Sequence, residues 1–159
     1  MKKLILILSV ITITLGMSSC KGYDIDKCKA LIEKSHDSES LTQDDYAEMI
    51  SQAKGLNKFL CDLEDQLSDK LKDKDVESAA KLVDAAEDES KCYDKLHNKL
   101  ERANRKGRLN SSNQDAFLEL EEANNKLKSK HKENIKHLFE PSDESFEDIV
   151  PSDESLDSL

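Results

Sequence analysis

The sequence predicts an all-α protein: an antiparallel bundle of three long helices, with a short N-terminal helix before it and a disordered acidic C-terminal tail after it. Apolar residues recur every three or four positions through most of the chain, which is the period of an amphipathic helix. The 159 residues include only four glycines and two prolines, and 36% are charged while 4% are aromatic. Such a composition favours solvated helices over a sheet.

The first 19 residues differ from the rest of the chain. Lys2 and Lys3 precede a mostly apolar run from Leu4 to Met17, and Ser18 and Ser19 end it. A helix that spans a bilayer needs about 20 apolar residues, and this run is too short. A basic start, an apolar stretch and small residues at the end are typical of a secretory signal. We therefore predict a cleavable signal peptide at residues 1–19.

Residues 15–20 read LGMSSC, with small residues directly before a cysteine. This segment resembles the lipobox of bacterial lipoprotein precursors, although Met17 stands where the lipobox usually has leucine. The resemblance implies that Cys20 becomes the first mature residue and carries a thioether-linked diacylglycerol and an acylated amine. Two or three acyl chains anchor a protein stably, so the expected membrane contact is this covalent lipid. An ordinary secretory signal is the alternative that stays open.

Lys21 follows the cysteine of the lipobox. In enterobacterial lipoproteins an aspartate at this position is the usual signal for retention in the inner membrane. The resemblance therefore implies the outer membrane, and it leaves open whether the protein faces the periplasm or the outside.

The helical domain is predicted at residues 27–140, after a tether at residues 20–26. A brief helix is expected from Lys27 to Lys34, with Cys28 facing the core. The first long helix is expected from Gln43 to about Lys72, with Thr42 as its N-cap and Asp45 completing a variant of the capping box. Gly55 lies inside it, but the apolar stripe continues in phase on both sides, so no break is expected there.

Two further long helices complete the predicted bundle. One runs from about Asp75 to Lys106, where Gly107 is expected to cap it. The other begins after an N-cap at Ser111 or Ser112 and must end before Pro141. The apolar positions of these two helices are Leu82, Val83, Ala86, Tyr93, Leu96, Leu100 and Ala103, and then Phe117, Leu120, Leu127, Ile135 and Leu138.

Three cysteines remain once Cys20 is assigned to lipidation: Cys28, Cys61 and Cys92. An exported protein meets an oxidising compartment, so one disulfide with one leftover thiol is one interpretation. Three small core or boundary residues is the other, and spacing alone does not decide between them. Their spacing matches no zinc motif, because zinc ligands come in close pairs.

Residues 141–159 form an acidic, low-complexity tail in which the pentapeptide PSDES occurs at 141–145 and again at 151–155. Such a segment is expected to be disordered and dispensable for folding. Two interpretations stay open. The tail is a solubilising extension, or it carries a short docking motif made of Phe146, Ile149 and Val150 or of the terminal Leu159.

Composition and motifs also bound the function. The net charge of −10 argues against nucleic acid as a principal partner. No phosphate loop, nucleophile elbow or metalloprotease motif occurs, so we expect no catalytic residue, cofactor or metal. Lysines 126, 128, 130, 132 and 136, with His131 and His137, gather at the end of the third long helix, where they complement the helix dipole.

Two functions are consistent with these features. The favoured one is a lipid-anchored, non-catalytic envelope protein that acts as a protein-interaction or structural bundle, with an envelope protein of unknown identity as its partner. The alternative is a ligand-binding lipoprotein module for cations or small anions, which would use the acidic tail or the basic end of the third long helix.

Overall fold

The computed structural model describes residues 22–36 and 41–139, and within them it contains helices and no strand. The all-α prediction is confirmed. The helices are α1 (Ile25–Lys34), α2 (Gln43–Lys72), α3 (Val76–Ala85), α4 (Glu87–Arg105) and α5 (Ser111–Phe139). The predicted signal peptide, the lipidation site and the acidic tail lie outside the described residues.

The N-terminal part of the described chain packs more closely than a tether would. α1 begins at Ile25, two residues earlier than the sequence predicts, because the Asp24 side chain accepts hydrogen bonds from two backbone amides of its first turn. Tyr23 is buried, and its ring lies 5.6 Å from that of Phe59 on α2. The chain is therefore held against the bundle from its first described residues.

α2 is one uninterrupted helix, as predicted, and Thr42 and Asp45 form the expected capping box. Gly55 in its middle is explained by a close backbone approach. A Cβ atom at this position would lie 2.2 Å from the carbonyl oxygen of Gly22. Only glycine lets the N-terminal segment lie this close to the helix.

The prediction of one continuous helix from Asp75 to Lys106 is wrong. The chain leaves the helical path at Ala86, which ends α3 and precedes the first turn of α4. The Ala86 amide bonds to the Val83 carbonyl, a tightened last turn that stops α3. Residues 87–89 are all acidic, and acids favour the start of a helix, where the dipole is positive.

The helix ends around Gly107 follow the prediction in one case and depart from it in the other. Gly107 adopts a positive φ of 64° and accommodates the end of α4, as expected for a C-terminal glycine. The N-cap of α5 is Asn110 rather than Ser111 or Ser112, since its side-chain oxygen accepts a 2.8 Å hydrogen bond from the Asn113 amide. Asparagine is as good an N-cap as serine.

α2 is the central helix, and α5 packs along its length. Three contacts give the relative direction: the Asn113 side chain donates to Gln43 at 2.9 Å, Lys54 pairs with Glu119 at 2.6 Å, and Lys130 pairs with Asp65 at 2.7 Å. The partners follow the same order along both helices, so α2 and α5 run in parallel. α1 and α4 cover the other side of α2.

The core is concentrated around α2, α4 and the first half of α5. Its fully buried large side chains are Met49, Leu56, Leu96, Leu100 and Leu120. At the far end α3 buries only one side chain along its length, that of Ala79. Val83, which the sequence predicts to face the core, is 53% exposed. The prediction for this residue is wrong because the break at Ala86 separates α3 from the stripe of α4.

Candidate functional site

A cationic cleft lies between the end of α1 and the second half of α4. It consists of two adjoining depressions of about 200 and 270 Å³, which share His36, Lys99 and Arg102. Lys95 and Asn98 also line one depression, and Lys106 and Arg108 also line the other. Among the described residues, no acidic side chain lines either depression. We call this region the cationic cleft.

Four of the cations come from a single stripe that begins on α4 and ends just after it. Lys95, Lys99, Arg102 and Lys106 recur at intervals of four, three and four residues, so they project from one face of the helix. In the described part of the chain, none of these four makes an ion pair. Lys99 is held in place, because its Nζ donates a 3.1 Å hydrogen bond to the carbonyl oxygen of Ser35 at the end of α1. The neighbouring Arg105, in contrast, pairs with Glu101.

The electrostatic consequence is a local field opposite to that of the whole chain. Cations crowded in a concave surface focus their field on an anion there more than the same charges would on a flat surface. Arg102 can present a planar fork to a carboxylate or a phosphate. The cationic cleft therefore fits an anionic group.

An apolar cleft of about 260 Å³ lies at the opposite end of the bundle, between the end of α2, α3 and the last part of α5. Its surface is formed by Leu67, Leu71, Val76, Ala79, Ala80, Val83 and Ile135. Of these, Val76 is 61% exposed and Ile135 is 40% exposed. We call this region the apolar cleft. A cluster of exposed large aliphatic side chains on a charged protein is typical of a contact surface.

Three polar residues close one side of the apolar cleft and make polar contacts with one another. Glu64 is 9% exposed. Its carboxylate lies 2.7 Å from Nδ1 of His131 through one oxygen and accepts a 2.7 Å hydrogen bond from the Asn134 amide through the other. The same amide also donates to the Glu64 carbonyl oxygen. This network ties α2 to α5, so the cleft has a rigid wall.

A second polar network lies inside the bundle. His97 Nε2 is 2.5 Å from a Glu121 carboxylate oxygen and 3.1 Å from the Asn124 side-chain nitrogen. The ring of His97 lies between Tyr93 and Phe117, with ring centroids 5.8 and 6.0 Å away. Burial raises the pKa of Tyr93 to about 12, so its hydroxyl stays neutral. The packed rings fix the register of α4 against α5.

Within residues 22–36 and 41–139, the three cysteines Cys28, Cys61 and Cys92 are unbridged. Cys28 and Cys92 are buried in the core, and Cys61 is half-buried with its sulfur 3.8 Å from Asn57 Oδ1. Burial raises the pKa of the Cys28 thiol to about 12, and it also raises the pKa of Cys61 and Cys92. Thiols in this state are poor nucleophiles at neutral pH. Disulfide pairing stays a prediction.

The candidate site residues named from the sequence do not come together in the cationic cleft. Cys20, Phe146, Ile149, Val150 and Leu159 lie outside the described residues. At the basic end of α5, the Lys130 side chain pairs with Asp65 and the His131 side chain pairs with Glu64. Sequence reasoning missed the cationic cleft, although its i, i+4, i+7 and i+11 spacing on α4 was the available signal.

No protein-family model, curated protein or solved structure matches this chain. Among residues 22–36 and 41–139, no helix has the length and apolar character needed to cross a membrane. The same residues contain no group of three or more His, Cys, Asp or Glu side chains arranged to hold a metal ion.

Proposed function

We propose that this chain is a lipid-anchored, non-catalytic interaction protein of the bacterial envelope that binds an acidic segment of a partner protein in its cationic cleft. The observation that carries the proposal is the stripe of four α4 cations without acidic partners in the described part of the chain. In a chain of net charge −10, this stripe is a local cationic surface, and such a surface is complementary to an acidic segment of a partner.

The anchoring half of the proposal rests on the lipobox-like residues 15–20 and on Lys21 after them, which favours the outer membrane. Tyr23 is already packed on α2, and only two residues separate Cys20 from it. A residue spans at most about 3.6 Å, so a lipidated Cys20 would hold the bundle within about 10 Å of the membrane surface.

We also propose a finer architecture: an up-down-up bundle of three columns, made of α2, of α3 with α4, and of α5, followed by a disordered tail. The parallel order of the contacts between α2 and α5 supports it, because the first and third columns of such a bundle run in the same direction. In this proposal α3 and α4 form one bent column.

The anchor is tested by replacing Cys20 with serine. We expect the protein to leave the membrane fraction or to keep its signal peptide, and to lose labelling with a palmitate analogue. Sucrose-gradient fractionation of the unmodified protein should place it with outer-membrane markers. Continued labelling of the Cys20→Ser protein would contradict lipidation at this residue, and co-migration with inner-membrane markers would contradict the location.

The binding surface is tested by charge reversal at two neighbouring arginines. Arg102 lines the cationic cleft, whereas Arg105 lies outside it and pairs with Glu101. We expect a partner captured from solubilised envelopes by the unmodified protein to be lost with Arg102→Glu and retained with Arg105→Glu. The interaction should also weaken as salt rises, since the Debye length falls from about 8 Å at physiological ionic strength to about 3 Å at 1 M. Equal loss or equal retention with both variants would contradict the proposal.

A small anion is the second candidate ligand, because the same cleft would fit a phosphate or sulfate ion. Calorimetric titration with inorganic phosphate distinguishes the two. Saturable binding that disappears in Arg102→Glu and persists in Arg105→Glu would favour the small anion, and absence of binding heat would favour the protein segment.

A further inference from the structure

The apolar cleft at the end of α5 lies where the chain leaves the described structure. Ile135 lines the cleft, and α5 ends one turn later at Phe139. The remaining 20 residues, from 140 to 159, therefore begin beside an uncovered apolar surface.

Those 20 residues contain one compact apolar group. Phe146, Ile149 and Val150 are the large apolar residues of the acidic stretch, apart from Leu156 and Leu159 near its end. In a helical turn, their i, i+3 and i+4 spacing would place the three side chains on one side. A turn of this kind presents three apolar groups together, which is what a shallow aliphatic surface can bind.

The chain between the end of α5 and Phe146 is long enough to reach the apolar cleft. Seven residues lead from Phe139 to Phe146, and an extended chain covers at most about 3.6 Å per residue, or about 25 Å in total. The distance from Phe139 back to Ile135 is one helical turn, about 6 Å along the axis. The segment can therefore turn back and reach the cleft without strain. A linker this short also gives an effective concentration on the order of millimolar.

The charges of α5 and of the tail favour a tail that turns back toward the apolar cleft. Lys132 and Lys136, in the last turns of α5, have no ion pair within the described residues. The tail brings Glu140, Asp143 and Glu144 directly after them. Such exposed pairs are individually weak, but together they would draw the start of the tail back along α5 rather than away from it.

We propose that residues 146–150 of this chain dock in its own apolar cleft, with Phe146, Ile149 and Val150 against Val76, Val83 and Ile135. Docking in this position covers the exposed aliphatic surface and leaves the two PSDES repeats on either side of the docked turn. The interaction is reversible, so the tail alternates between the disordered form proposed above and a docked form, and the helices fold without it. It involves the opposite end of the bundle from the cationic cleft and does not depend on the function proposed for that cleft.

The absence of tryptophan from the chain makes a direct test available, because Phe146→Trp introduces a single fluorescent reporter. In the full-length protein we expect its emission to be blue-shifted, and its quenching by acrylamide to be slower, than in a free peptide of residues 140–159 with the same substitution. Adding Val83→Asp should return both signals to the free-peptide values. Adding Leu118→Asp should not, since Leu118 is a 58% exposed residue of α5 that does not line the cleft.

Each result decides the proposal. Free-peptide values in the full-length protein would overturn it, and so would equal effects of Val83→Asp and Leu118→Asp. A blue shift that disappears on dilution would show docking on a second copy and would overturn the intramolecular assignment. If Val83→Asp lowers the helical circular dichroism, Ile135→Asp provides the same test from α5.

Discussion

The two ends of the bundle differ in how completely α2 is covered. At one end α1, α4 and the first half of α5 surround it, and Met49, Leu56 and Leu96 have no measurable exposure. At the other end α3 buries only Ala79, and Val76 and Val83 remain largely exposed. The difference shows that a short helix that buries one small side chain supports the bundle end without sealing it. The closed end presents charge to solvent, and the open end presents apolar surface.

The largest expected effect comes from truncating a side chain at the closed end. Leu96→Ala should lower the free energy of unfolding by about 2–5 kcal/mol, because a buried leucine leaves a cavity that its surroundings fill only in part. Val83→Ala at the open end should change it by less than about 0.5 kcal/mol, as is usual for exposed positions. Urea unfolding monitored by circular dichroism measures both. Similar losses would mean that the two ends are equally packed.

Gly55→Ala should have the next largest effect. Alanine improves helix propensity by about 1 kcal/mol, but its Cβ would lie 2.2 Å from the Gly22 carbonyl oxygen. We expect net destabilisation of about 1–3 kcal/mol, as for other overpacked sites. In a chain without residues 1–23 the sign should reverse, because the clash is gone. Stabilisation by Gly55→Ala in the full-length protein would show that Gly22 does not rest on α2.

Asn134→Ala tests the polar wall of the apolar cleft. It removes the donor to both the carboxylate and the carbonyl oxygen of Glu64, and an unsatisfied buried acceptor costs about 1–3 kcal/mol. The exposed Asn98 on α4 is the matched control, and Asn98→Ala should stay within about 0.5 kcal/mol. Equal effects would mean that the Glu64 network contributes no more than an ordinary surface amide.

The smallest effect concerns acid. Hydrogen bonds from Lys34 and then from Thr42 lower the pKa of Asp45 to about 2. An unfolded aspartate titrates near about 4. The stabilisation from this carboxylate is therefore present above about pH 4 and is lost as pH falls through about 2. Asp45→Asn should be less stable than the unmodified protein at pH 7 and should lose less stability between pH 4 and pH 2. Equal acid sensitivity of Asp45→Asn and the unmodified protein would contradict this assignment.

Local signals explain what the sequence could predict. The capping box at Thr42, the stripe of α2 and the glycine after α4 each depend on residues within one or two turns, and all three are present in the structure. The break at Ala86 has a weaker local signal, since neither glycine nor proline occurs there and only the three acids after it favour a new helix start. The apolar stripe on both sides of Ala86 therefore predicted one continuous helix.

The same distinction applies to the surfaces. The four cations of α4 were readable as a periodic stripe, but their concave setting depends on the end of α1 packing beside them. The apolar cleft could not be predicted from the sequence, because Val83 and Ile135 follow the core pattern, whereas the structure leaves both side chains exposed. Gly55 likewise shows no local reason for being glycine until Gly22 is seen against it.

Native-state hydrogen exchange of the full-length protein tests the contrast between the two ends most directly. Amides around Leu96 and Leu100 should exchange only through global unfolding, whereas amides from Ala79 to Val83 should exchange through local opening at a lower free energy. Deleting residues 141–159 should speed exchange in α3 and leave the exchange of α4 unchanged. Equal protection of α3 and α4 would contradict the account of one closed end and one open end.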